Sequence, residues 1–201
     1  MSESIKNRGL GGKDVITVGI FSAIYFVINF AFMLLGGLHP LLWILMPAFI
    51  ALFTGIPYLM MCAKVQKFGS VLLMGLITGL IYYVTGQFTI VILVSFVIAC
   101  VLAEVTRIIT HYGSMAGNLV SFALFSVGMV GSPLPVWLMR GEFLQQITEQ
   151  GMPLDYVNTL AALSSNAMLV VLFLAPVVGA VIGGLAARVM FRKHFEKAGL
   201  V

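Results

Sequence analysis

The residues of this 201-residue chain that could hold a small molecule gather where apolar runs break. His39 and Trp43 follow Gly36-Gly37. Tyr82, Tyr83, Thr85 and Gln87 bracket a short turn. Trp137, Arg140 and Glu142 lie in the longest polar stretch, and Asn158, Ser164, Ser165 and Asn166 stand near the start of the last apolar run. Together they offer aromatic faces for stacking, hydroxyl and amide groups for hydrogen bonds, and one guanidinium suited to a carboxylate or phosphate. Each also has a plainer use. Tryptophan and tyrosine form belts at membrane interfaces, serine and asparagine cap helices, and Arg140 has Glu142 or Glu149 within reach for a surface ion pair.

Residues able to run covalent chemistry are not arranged for it. The H-E-x-x-H, G-x-S-x-G, Walker A and C-x-x-C patterns are missing, so the chain reads as a binding protein and not an enzyme. His39, His111 and His194 fall on opposite sides of the expected membrane, which precludes a shared metal. Cys62 and Cys100 sit in or at the ends of apolar runs and read as small buried hydrophobes, with no disulfide expected. No metal or cofactor is expected. No ionisable residue lies near the middle of an apolar run, which disfavours an ion-coupled carrier or proton pump. With no nucleotide-binding element, active transport would draw its energy from elsewhere.

The elements that must position these residues follow from composition and charge. Hydrophobic residues make up 61% of the chain and charged ones 9%, with mean hydropathy +1.10. A soluble domain of this size could not bury that much apolar surface, so the solvent is lipid. The run Val15 to Leu35 is of full membrane length and lacks an A-x-A site, so it reads as a span and not a cleavable signal. Ten of the eleven Lys and Arg residues fall in four clusters: Lys6/Arg8/Lys13, Lys64/Lys67, Arg107, and Arg188/Arg192/Lys193/Lys197. These clusters occupy every second loop of a chain crossing six times. The positive-inside rule then puts both termini in the cytosol and Arg140 outside, in the plasma membrane of a prokaryote. Basic residues parcelled into short loops give no continuous surface for nucleic acid.

The expected fold is all-α, a single domain over 1–201 with six transmembrane helices. Residues 1–13 form a cytoplasmic segment, 132–159 an extracellular segment and 188–201 a basic cytoplasmic tail. Span one covers about 15–35, span two 41–62 with kinks at Pro47 and Pro57, span five 114–131 and span six 160–187. Between Lys67 and Glu104 lie 36 residues that must go out and return, about 27 Å per crossing at 1.5 Å per residue. That hairpin barely spans. Glu104 and Arg107, spaced i, i+3, read as an interfacial ion pair. Phe143, Leu144 and Ile147 predict a short amphipathic helix in the extracellular segment, either a lid over a pocket or a helix on the headgroups.

Two ladders of small residues allow close helix approach. Ala175, Gly179, Gly183 and Ala187 recur every fourth residue near the C-terminus; Gly19 and Ala23, with Ala31 beyond, make a shorter set near the N-terminus. Both read as faces for docking a membrane partner, with internal packing as the alternative.

The run Lys13-Asp14-Val15-Ile16-Thr17-Val18-Gly19-Ile20-Phe21-Ser22-Ala23-Ile24-Tyr25-Phe26-Val27, then Gly55-Ile56-Pro57-Tyr58-Leu59-Met60 and Lys64-Val65-Gln66-Lys67-Phe68-Gly69, resembles the MptD or Trep-Strep group of substrate-binding S components of energy-coupling factor (ECF) importers. The likeness runs from Lys13 to the basic tail. It implies a six-helix receptor that takes a scarce nutrient from outside and docks on a membrane coupling subunit of the EcfT type, which carries two cytosolic ATPases of the EcfA type. It also implies that the receptor topples in the membrane to deliver its cargo. Many S components carry A-x-x-x-A on helix one, where this chain has Gly19-x-x-x-Ala23. Vitamins and related heteroaromatics, pyridoxine-like or pterin-like, suit the aromatic outer surface. Haem is the alternative cargo, with His39 and the methionines Met33, Met46, Met129, Met139 and Met152 as soft contacts. A self-sufficient secondary transporter is the alternative from another class.

Overall fold

The computed structural model describes residues 9–84 and 89–190. The expected contributions of Thr85, Gln87, His194 and the basic residues before position 9 or after position 190 lie outside the described residues. Among the described residues the chain is all-helical. The helices are α1 (Gly12–Gly36), α2 (Pro40–Lys64), α3 (Ser70–Val84), α4 (Ile90–Ile109), α5 (Met115–Val127), α6 (Pro135–Leu138), α7 (Arg140–Glu149), α8 (Leu154–Leu163) and α9 (Asn166–Met190), with a 3-10 turn at Gly128–Gly131 extending α5.

Helices α1, α2, α4 and α9 are long and apolar enough to cross a membrane, and Ser70–Val84 and Met115–Gly131 are shorter apolar helices. At 15 residues, α3 rises only about 22 Å. α2 continues through Pro47 and Pro57 and is the central helix, packed against α1, α5 and α9.

Its core face brings aromatic rings together. Tyr58 lies 4.9 Å from Phe122 and 5.1 Å from Phe125, which also meets Tyr25 and Phe96. Along its other contact, α2 and α9 touch backbone to backbone. A Cβ at Gly183 would lie 2.3 Å from the Leu52 carbonyl oxygen, and one at Gly179 would lie 2.5 Å from that of Ala48. Only glycine permits this approach.

The ladder on α9 is thus corrected. Gly179, Gly183 and Ala187 are buried inside the bundle and Ala175 is half-buried, so this face packs on α2 and is not open to a partner. On α1 the small residues lie differently. Gly19 is half-buried with nothing within 4 Å of an added Cβ, and Ala23 and Ala31 are exposed beside Ile20, Ile24 and Val27.

The end of the bundle bearing Lys64, Lys67 and Arg107 is held by two buried charges. Glu104 and Arg107 do not form the expected i, i+3 pair. The Glu104 carboxylate instead accepts from the backbone N–H groups of Gly69, Val71 and Leu72 at the start of α3. Arg107, fully buried, donates to the carbonyls of Cys62 and Val65 at the end of α2, to Asn118 Oδ1 and to Ser70 Oγ. A carboxylate at a helix N-terminus and a guanidinium at a C-terminus each meet the favourable end of a helix dipole. Asn118 also donates to the Tyr112 carbonyl, fixing a turn in which His111 and Tyr112 have φ of 55° and 60°. Lys67 pairs with Asp14 at 2.7 Å, tying the α2–α3 loop to α1.

At the opposite end, residues 132–163 fold into three short helices where one was expected, and the last long helix begins at Asn166 instead of Leu160. The serine pair makes the break. Ser164 N–H closes α8 on the Leu160 carbonyl, and Ser165 Oγ accepts from Met168 N–H to cap α9.

Candidate functional site

A cavity of about 330 Å³ lies at the α6–α8 end, beneath α7. Its wall from α1 is Met33, Gly36 and Gly37, and α2 adds Trp43. Thr89 and Ile92 enter from the start of α4, Ser132 from the turn after α5, and Met152, Tyr156 and Leu160 from the loop before α8 and from α8 itself. The roof is α7, which presents Phe143, Gln146, Ile147 and Gln150. These four share one helix face because i, i+3, i+4 and i+7 are neighbours. Phe143, Leu144 and Ile147 also pack on a cluster built around Ile44, Val130, Val136, Leu160 and Leu172. The amphipathic helix is therefore seated on the bundle as a cover.

Two contacts hold the cover down, and a third braces α8 beside it against α1. Trp43 and Phe143 stack with ring centroids 5.7 Å apart and planes 9° from parallel. Arg140, at the start of α7, donates to the Ala161 carbonyl. Tyr156 donates its hydroxyl to the Gly36 carbonyl at 2.8 Å, and burial pushes its phenol up to about 12, which keeps that donor protonated. α7 is bounded by Met139 in an irregular conformation and by Gly151 with φ of +89°, a backbone setting glycine takes without strain.

Of the residues picked out in the sequence, Trp43 lines the cavity. The other described ones, apart from Met33 and Met152, do not line it. His39 caps α2, its Nδ1 accepting from Leu41 N–H. Tyr82 is buried between α1 and α3 and donates to Asn29 Oδ1 at 2.6 Å, while Tyr83 is exposed. Trp137 donates its indole N–H to the Ser165 carbonyl. Arg140 bonds a backbone carbonyl and neither Glu142 nor Glu149, the latter accepting from Gln145. Ser164 is buried against the Ala161 carbonyl, Ser165 is a cap, and Asn166 is exposed at the first turn of α9. Of the methionines, Met33 and Met152 line the cavity, Met46 and Met129 are buried in the core, and Met139 is exposed.

The sequence reading missed Gln146, Gln150, Ser132, Thr89 and Tyr156. Thr89 Oγ1 caps α4 by accepting from Ile92 N–H. The side chains of Gln146, Gln150 and Ser132 bond no other group among the described residues. Below the cavity the interior is closed by packed side chains, including Met129, Phe125 and Tyr25, all fully buried. A second hollow of about 520 Å³, almost wholly apolar, opens sideways between α3 and α4 past the exposed Leu76, Leu80 and Val97.

Residues 12–197 match a family model described as "Hypothetical bacterial integral membrane protein (Trep_Strep)". No curated protein and no solved structure matches the chain.

Proposed function

Because the chain belongs to the Trep_Strep family of bacterial integral membrane proteins, we propose that it is the substrate-binding S component of an ECF-type importer. It captures a micronutrient, a vitamin or related heteroaromatic compound, and passes it inward when docked to a coupling subunit and two ATPases. The observation that carries this reading is the blind cavity under α7. It has a mixed polar and apolar lining, α7 seated over one end and fully buried side chains beneath, as suits a receptor for a small ligand. An open channel would need a path through that core.

The remaining supports are the charge pattern and α1. Six crossings, with the basic loops and both termini in the cytosol, direct the cavity to the outside where a scarce nutrient arrives. Of the two small-residue ladders, the face of α1 bearing Gly19, Ala23 and Ala31 is the one that no described residue packs closely against, and it is where the coupling subunit docks.

Purification of the tagged full chain from its native membranes tests the proposal, with the bound proteins and released small molecules identified by mass spectrometry. A coupling protein and two ATPases should co-elute, and Gly19→Leu should remove them without changing the small molecule retained. Liposomes holding the chain alone that accumulate substrate would overturn it. A C-terminal reporter exposed on the cell exterior would overturn the orientation.

A further inference from the structure

The chemistry left unspent in the cavity under α7 is uncharged. Among the described residues, none that lines it is ionisable apart from the Tyr156 phenol, which is already committed to the Gly36 carbonyl. The guanidinium of Arg140 is tied to the Ala161 carbonyl and does not line the cavity. A carboxylate or phosphate brought under the cover would lose its water and gain no countercharge, which strongly disfavours its entry. A metal ion would find no anionic ligand.

The cavity does hold two primary amides on one helix face. Gln146 and Gln150 are one turn apart on α7, and neither side chain is bonded to another group among the described residues. A glutamine amide carries an acceptor oxygen beside donor hydrogens. It pairs with a ligand edge that sets a donor next to an acceptor, as adenine is read in nucleic acids. Beside them the Trp43–Phe143 pair presents parallel ring planes, a wall that favours a flat π-system. The volume of about 330 Å³ suits a compact one- to three-ring molecule.

We propose that the cavity selects an uncharged planar nitrogen heterocycle with a lactam-type edge, and that Gln146 and Gln150 read that edge. This rests on the cavity being the ligand site of the importer reading and narrows its cargo. Carboxylated, phosphorylated and metal-ion nutrients are excluded. The cover is also the reader, so the ligand's hydrogen bonds form only when α7 is seated, and binding closes the site.

Equilibrium dialysis of the purified full chain in detergent tests this with matched probes: pterin and lumazine against their 6-carboxylates, in slightly acidic buffer where the parent rings are neutral. The neutral members should bind at least about tenfold more tightly than the carboxylates. Gln146→Leu and Gln150→Leu should each weaken the neutral members by about tenfold while leaving the thermal midpoint in place, since both side chains are solvent-facing and unpaired. Carboxylates held as tightly as the parents would overturn the assignment. So would failure to retain any neutral ring, or affinity unchanged in both variants. The importer reading would survive each of those results, because partner capture tests it separately.

Discussion

Replacing Gly183 by alanine adds one methyl group at the point where α2 and α9 meet through their backbones. An added Cβ would stand 2.3 Å from the Leu52 carbonyl oxygen and 2.8 Å from that of Ala51. Real Cβ atoms keep at least 3.0 Å from such neighbours. The neighbours are main chain and cannot rotate away, so the helices must part by about 0.7 Å at the crossing. Gly55 lies in the same contact, its own added Cβ reaching the Gly183 carbonyl at 2.6 Å. Separation there loosens packing on both sides. Overpacking of this kind costs about 1–3 kcal/mol, or roughly 3–10 °C in midpoint for a chain of this length. Gly19→Ala is the control, because nothing lies within 4 Å of its added Cβ and alanine favours helix by about 1 kcal/mol. Size-exclusion of heated, detergent-solubilised protein measures both. Gly183→Ala should lose its monodisperse peak at lower temperature and Gly19→Ala should keep or raise its midpoint. An unchanged Gly183→Ala beside a destabilised Gly19→Ala would refute the assignment of the α9 ladder to internal packing.

The other expectations concern the two ends of the bundle. Arg107→Met strands the Cys62 and Val65 carbonyls and Asn118 Oδ1; the cost should reach about 3–5 kcal/mol, and a loss under about 1 kcal/mol in thermal or denaturant unfolding would contradict the geometry. Phe143→Ala removes the stack on Trp43, worth about 0.5–1.5 kcal/mol beyond burial. Amide exchange should rise in α7 and stay unchanged in α9. His39→Ala should cost about 1 kcal/mol as a lost cap and leave ligand affinity alone; a large affinity loss would return His39 to the site. The Tyr156 phenol is favoured in its neutral form when folded. Its contribution should be full below its ordinary value of 10.0 and fade as pH rises to about 12. Tyrosinate absorbance compared between the parent and Tyr156→Phe checks this, and a phenol titrating near 10 would contradict it.

Long-range order was legible in the sequence wherever it depends on solvent. Apolar runs and basic clusters mark α1, α2, α4 and α9. Local polar chemistry misled. Ser164, Ser165 and His39 have the residue types of a binding site and the positions of helix ends, and in the structure they serve helix ends. Gln146 and Gln150 escaped notice because α7 was read through its apolar residues alone. The periodicity that aligns Phe143 with Ile147 also aligns them with both glutamines, so the signal was present. Which ladder the bundle buries could not be read at all, since Gly19-x-x-x-Ala23 and Gly179-x-x-x-Gly183 offer the same small surface. Which one α2 covers depends on how the bundle closes.

What separates a structural polar group from a functional one in this molecule is whether its bonding capacity is used. At the basic end Arg107 and Glu104 are buried and bonded to two helix termini. Removing either leaves uncompensated charge or unpaired backbone in a medium that supplies no water, so they hold the helices in register and offer nothing to a ligand. At the α7 end the amides of Gln146 and Gln150 face a cavity with no bonds to lose. Both are exposed and cost little where water reaches them, and their pairing becomes worth more where a bound ligand displaces that water. The asymmetry gives the bundle one rigid end and one adaptable end. The proposed importer reading uses that division, since the bonded end keeps the helices in register while the unbonded amides stay available to the cargo.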